Sequence, residues 1–217
     1  MALTLVGPMS AWCAPRIHVV VLGAVKREPY SAESDPAGAK KEETELKVRP
    51  LVVDGKVKDW TTGEAHDVTD RSFAVRRALR LNDALPTDKG ERWVWQRGPW
   101  VLVDRTTGKV TALRLPDFDP AVSEAVWFRD YAAYCGVNAA GKQLMAMVAQ
   151  VEGRKPLLAR KVGTWDAADH PSPACAPAVW QRDPLKVSFQ VTGAAAVSFD
   201  LVGTSAVLVE EDEDEPN

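Results

Sequence analysis

The chain has 217 residues, 46% of them hydrophobic and 26% charged, the composition of a folded protein with a real core and not of a disordered segment. Its 27 basic residues nearly balance 30 acidic ones, so no basic field marks it for nucleic acid. No apolar run reaches the roughly 18 to 20 residues that an integral membrane helix needs.

The first fourteen residues carry no charge until Arg16 follows them, contain Pro8, and end in small residues around Cys13 and Ala14. Residues 1–14 therefore read as a secretory signal peptide, which places the mature protein in the periplasm or outside the cell. The competing reading folds residues 2–7 into the domain as a short buried strand. Trp12 stands where a lipobox wants a small residue, which argues against lipidation of Cys13. If Cys13 leaves with the leader, Cys135 and Cys175 remain as an even pair in an exported chain, and a disulfide between them is expected.

Residues 15–209 read as a single mainly β domain, a set of repeated antiparallel hairpins arranged as a β-sandwich, a barrel or a partial propeller-like array. Arg16 to Val25 is short and β-branched and predicts a strand. Residues 29–45 are rich in Pro, Ser, Ala, Gly and charge and predict an exposed loop. Leu46 to Val53, then Asp54-Gly55, then Lys56 to Trp60 predict a hairpin, because Asp-Gly supplies the positive-φ pair of a type I′ turn. Pro50 lacks an amide hydrogen, so its strand is expected to be an edge or to be bulged. Phe73 to Asn82 fits either period and is read as a strand from its neighbours. The run Glu210-Glu211-Asp212-Glu213-Asp214-Glu215 leaves the body mildly basic, and residues 210–217 read as an acidic disordered tail.

Trp95-Gln96-Arg97-Gly98-Pro99 recurs as Trp180-Gln181-Arg182-Asp183-Pro184, and the turn pairs Thr107-Gly108 and Thr192-Gly193 follow in the same register. Trp127-Phe128-Arg129-Asp130, with Asn138 to Gly141, is a looser third copy. Each copy predicts strand, glycine turn, strand. The plain reading of Trp95, Arg97, Trp127, Trp180 and Arg182 is structural, with an indole between sheets and a guanidinium stacked on it. The functional reading makes the three tryptophans a stacking platform.

The run from Trp93 to Val162, with Trp100 to Lys109 and Tyr134 to Lys142, resembles the blade repeats of β-propeller proteins. The Trp-Gln-Arg stretches, Arg129-Asp130-Tyr131-Ala132-Ala133-Tyr134-Cys135-Gly136 and Lys47-Val48-Arg49-Pro50-Leu51 are also similar to those of uncharacterised secreted bacterial proteins. The resemblance implies export and a β fold and brings no activity with it. The chain has room for two or three blades, so either a ring is completed by oligomerisation or the fold is a sandwich or barrel.

Chemistry-bearing groups are few. His66, Asp67 and Asp70 match no zinc spacing and read as an exposed loop. His170, beside Cys175, sits in turn chemistry. Asp117 and Asp119 flank Phe118 between prolines; they form an acid/base pair on one reading and a loop between hairpins on the other. No phosphate-binding, dinucleotide or nucleophile-elbow pattern is present, and no cofactor is implied. These observations point to an exported, non-enzymatic binding or structural protein whose partner is another protein or an envelope component. The alternative is a carbohydrate-binding or carbohydrate-hydrolysing β protein using exposed tryptophans with Asp117 and Asp119.

Overall fold

The computed structural model describes residues 18–31, 45–166, 175–203 and 205–209. The leader, most of the 29–45 loop, His170 and the acidic tail lie outside the described residues. Within them every regular element is a strand: β1 (Val20–Leu22), β2 (Lys26–Pro29), β3 (Glu45–Val53), β4 (Lys56–Thr69), β5 (Ser72–Asn82), β6 (Trp93–Asp104), β7 (Val110–Ala112), β8 (Val126–Phe128), β9 (Tyr131–Val137), β10 (Gln143–Gln150), β11 (Leu158–Thr164), β12 (Val179–Arg182), β13 (Leu185–Gln190), β14 (Ala196–Val202) and β15 (Ser205–Leu208).

They form three antiparallel sheets. The first runs β3-β4-β5-β6-β7, with β1 and β2 end to end along the outer side of β3; the middle sheet runs β8-β9-β10-β11 and the last β12-β13-β14-β15. The Asp54-Gly55 turn is as expected, with φ of 51° and 76°, and pairs Val53 with Lys56. Asp54 also ties this turn to the chain before β1: its carboxylate accepts from the Val19 amide at 3.0 Å and meets His18 Nδ1 at 2.7 Å.

Neither expectation for Pro50 is met within β3, because the extra residue of the nearby register shift is Lys58 on β4, between Val57 opposite Val52 and Asp59 opposite Leu51. β3 is flanked on both sides, and its register with β4 shifts between Leu51 and Val52. The Pro50 carbonyl accepts from Gly23, so its donor-free edge faces the break between β1 and β2, where no ladder bond is lost. The buried positions switch there from Leu46 and Val48 to Leu51 and Val53. Arg16 to Val25 is likewise not one strand within its described part, since β1 stops at Leu22. Tyr30, expected in the exposed loop, is buried and bridges to Trp95, so the end of β2 touches β6 and the first sheet curls. One bridge does not close it, and no closed barrel forms among the described residues.

The two central strands of the middle sheet, β9 and β10, are buried on both faces, while β11 at its edge is largely exposed. Ala132, Tyr134, Met147 and Ala149 pack with Ala74 and Trp100 of the first sheet. Their neighbours Ala133, Cys135, Ala146 and Val148 pack with Val187, Phe189, Phe199 and Leu201 of the last sheet. Successive residues of a strand point to opposite faces, so a strand covered twice must be apolar throughout. Small alanines on β9 and β10 let large rings enter from either side. A disulfide joins Cys135 of β9 to Cys175, which bridges to Val191 beside β13, and so ties the middle sheet to the last. Closing a 40-residue separation stabilises the fold by roughly 4 kcal/mol on the chain-entropy model.

The Trp-Gln-Arg copies fold differently despite their identity. In the first copy Gly98-Pro99 lies inside the continuous strand β6, opposite a register shift between Arg76 and Ala78, and makes a bulge. In the second, Asp183-Pro184 is the turn between β12 and β13. The looser copy at Trp127 is the closer structural match, since Arg129-Asp130 turns β8 into β9 with Phe128 opposite Tyr131. The hairpins β6/β7, β9/β10 and β13/β14 form where expected.

Phe189 is fully buried between two sheets and Val207 is exposed on β15. In urea denaturation Phe189→Ala is expected to cost about 3 to 5 kcal/mol and Val207→Ala less than about 0.5 kcal/mol. Equal costs would contradict this stacking.

Candidate functional site

The three tryptophans singled out by the repeat are not gathered into one groove. Trp95 is 6% exposed and packs with Tyr30, Leu46, Val48 and Ala78, with Trp60 edge-on at 5.3 Å. Trp127 is half-buried in the contact between the first and middle sheets, edge-on to Trp100 at 5.1 Å and stacked on His66 at 5.4 Å. Trp180, also half-buried, packs in the other core and donates from Nε1 to the Val126 carbonyl at 3.0 Å. The guanidiniums stack on neighbouring rings and not on their own tryptophans: Arg97 lies over Tyr30 and donates to its hydroxyl, and Arg182 lies over Phe128.

His66 and Asp67 lie within β4, which corrects the expectation of an exposed loop. The ring of His66 meets the Arg129 carbonyl at 2.6 Å, and Asp67 pairs with Arg105. No group of three or more metal-ligating side chains occurs among the described residues.

Asp117 and Asp119 sit in the loop after β7, and both are used in shaping it. Asp119 accepts from the Ala121 amide through Oδ1 and its own amide donates to Ser123 Oγ. Asp117 adopts φ 54°, and its carbonyl accepts from Val137 at 3.0 Å. That carbonyl lies so close to Gly136 that any side chain there would collide with it, which accounts for glycine within β9.

Between the two aspartates, Phe118 is wedged in the seam of the first two sheets. The Tyr134 ring meets it edge-on at 5.3 Å and the Arg76 guanidinium lies 5.9 Å from its centre. Arg76 is only 5% exposed and donates to the carbonyls of Gly98 and Pro120, so one cation fastens the bulge of β6 to the loop. Tyr134 is fully buried and donates to the Pro116 carbonyl at 2.7 Å. Burial, with the neighbouring Asp117 charge, pushes its phenol far above the ordinary range.

The fastened loop forms one lip of an open cleft of about 750 Å³ between the first and middle sheets. Leu102, Leu113, Leu115, Pro116 and Val151 give it an apolar floor, and Arg114, Glu152 and Arg154 line its polar side. Its other lip is the turn between β10 and β11, tightened by the Gly153 amide bonding to the Gln150 carbonyl. At the head of β7, Asp104 accepts from the Thr106 and Thr107 amides, and the Thr107 bond above all holds its carboxyl below the usual range.

No family model, curated protein or solved structure matches the chain. The cleft must therefore be interpreted from its own residues. Sequence reasoning placed Lys109 to Leu113 in a hairpin but did not nominate Arg114 or Arg154. Their proximity depends on how two sheets stack, and no spacing in the sequence encodes that.

Because the folded chain keeps the Tyr134 proton that the unfolded chain releases near pH 10, stability should fall as pH rises above about 10. Tyr134→Phe should lose about 1 kcal/mol at pH 7 with its hydrogen bond, and should show a shallower decline above pH 10. Urea unfolding at both pH values tests this; identical alkaline slopes would contradict it.

Proposed function

We propose that this chain is an exported, non-enzymatic binding protein that holds another protein or an envelope component in the cleft between its first two sheets. The cleft supports this reading most directly: an apolar floor with a few polar side chains, framed by lips fastened to a packed scaffold, is the usual form of a recognition site. The Cys135–Cys175 bridge supports the placement outside the cytosol, because disulfides persist in oxidising compartments. No helix among the described residues is long and apolar enough to cross a membrane. The likeness to secreted propeller-blade repeats belongs to the same proposal. It is supported by two successive four-stranded runs, β8 to β11 and β12 to β15, lying face to face.

Export is tested by the intact mass of protein from the native host, taken without reductant and after thiol alkylation in denaturant. The expected mass lacks the leader and takes up alkylating agent only once reductant is added. A full-length mass with three reactive thiols would overturn export. For binding, a photo-crosslinking residue placed at Arg154 should give a discrete adduct in envelope extract, and one at exposed Lys58 on β4 should not. Equal labelling from both positions would contradict the cleft as the site.

A further inference from the structure

We propose that the outer edge of β7, with the cleft beside it, docks an extended acidic peptide by strand addition; this rests on the binding role proposed above and names its partner class. Among the described residues β7 is the terminal strand of the first sheet and pairs only with β6. Asp104 donates to the Lys109 carbonyl, Leu113 donates to the Trp100 carbonyl, and Thr111 lies opposite Leu102. The backbone groups of residues 109, 111 and 113 therefore face β6, and those of Val110 and Ala112 point off the sheet. No strand among the described residues takes them up. A row of unpaired amides and carbonyls of this kind is a template for an incoming strand.

The same stretch supplies the cleft. Thr111, Ala112, Leu113, Arg114 and Leu115 line it, so a strand laid along the edge would have one set of alternate side chains over the apolar floor. Charge sets the partner's sign. Arg114 and Arg154 are both exposed, and neither forms an ion pair among the described residues. Glu152 is the one carboxylate among the described residues of the lining, leaving a net positive rim. Guanidiniums bind carboxylates through paired N–H donors, so acidic side chains on the incoming strand complete the site.

The test uses the full disulfide-bonded chain and fluorescence anisotropy of two labelled eight-residue peptides, one alternating valine with glutamate and the other alternating valine with lysine. The glutamate peptide should bind saturably and at least about tenfold more tightly than the lysine peptide. Charge reversal at both positions, Arg114→Glu with Arg154→Glu, should invert that preference, an outcome that loss of folding cannot produce. Ala112→Pro removes an amide hydrogen that the sheet does not use, so it should leave the thermal midpoint within a few degrees and weaken the glutamate peptide about tenfold or more.

The proposal is overturned if both peptides bind alike, if neither saturates, or if Ala112→Pro binds as tightly as the parent chain. If the glutamate peptide fails while the crosslinker at Arg154 still gives its selective adduct, the peptide class is wrong and the binding role stands. If both fail, both readings fall.

Discussion

The structure depends on two strands of the middle sheet, β9 and β10, that have no solvent face. β9 and β10 carry buried side chains at consecutive positions, and the two sets go to different cores, one shared with the first sheet and one with the last. Burial on this pattern removes the usual alternation of apolar and polar residues and asks for small side chains wherever a neighbour sends in a ring. Ala132, Ala133, Ala146 and Ala149 meet that demand; Trp100, Phe189 and Phe199 supply the volume. The disulfide follows from the same arrangement, since Cys135 belongs to the face that looks at the last sheet.

A scaffold covered in this way leaves its variable chemistry at the seams and edges. The seam between the first two sheets is filled at one end by the ring contact of Trp100 with Trp127 and by the Arg76, Phe118 and Tyr134 cluster. Farther along, the short β7 stops and the cleft opens. The buried cation and the buried phenol bond to backbone carbonyls of the loop, at Pro120 and Pro116, so the lip of the cleft is held from below by the core. Asp117 and Asp119 contribute by shaping that loop through its backbone.

Local chemistry was legible in the sequence, and stacking was not. The Asp54-Gly55 turn and the hairpins around Gly108, Gly141 and Gly193 follow from backbone preferences of single residues, which the surrounding fold has little power to change. The Cys135–Cys175 pair followed from counting cysteines on the expectation of export. The Trp-Gln-Arg repeat, by contrast, promised two equivalent copies. Gly98-Pro99 instead became a bulge and Asp183-Pro184 a turn, because the partner strand, and not the pentapeptide, decides whether a chain continues or reverses. His66 looked like loop chemistry because Asp67 and Asp70 surround it; pairing with β5 holds it in a strand all the same. Arg114 and Arg154 carried no signal at all, since they lie on loops that leave strands of different sheets.

The central claim is that the twice-buried pair β9 and β10 carries the fold, and native-state hydrogen exchange followed by mass spectrometry tests it most directly. Amides of β9 and β10 are predicted to exchange only with global unfolding, while the edge strands β7 and β15 exchange orders of magnitude faster through local opening. Amides of β9 and β10 exchanging as fast as those of β7 and β15 would contradict it.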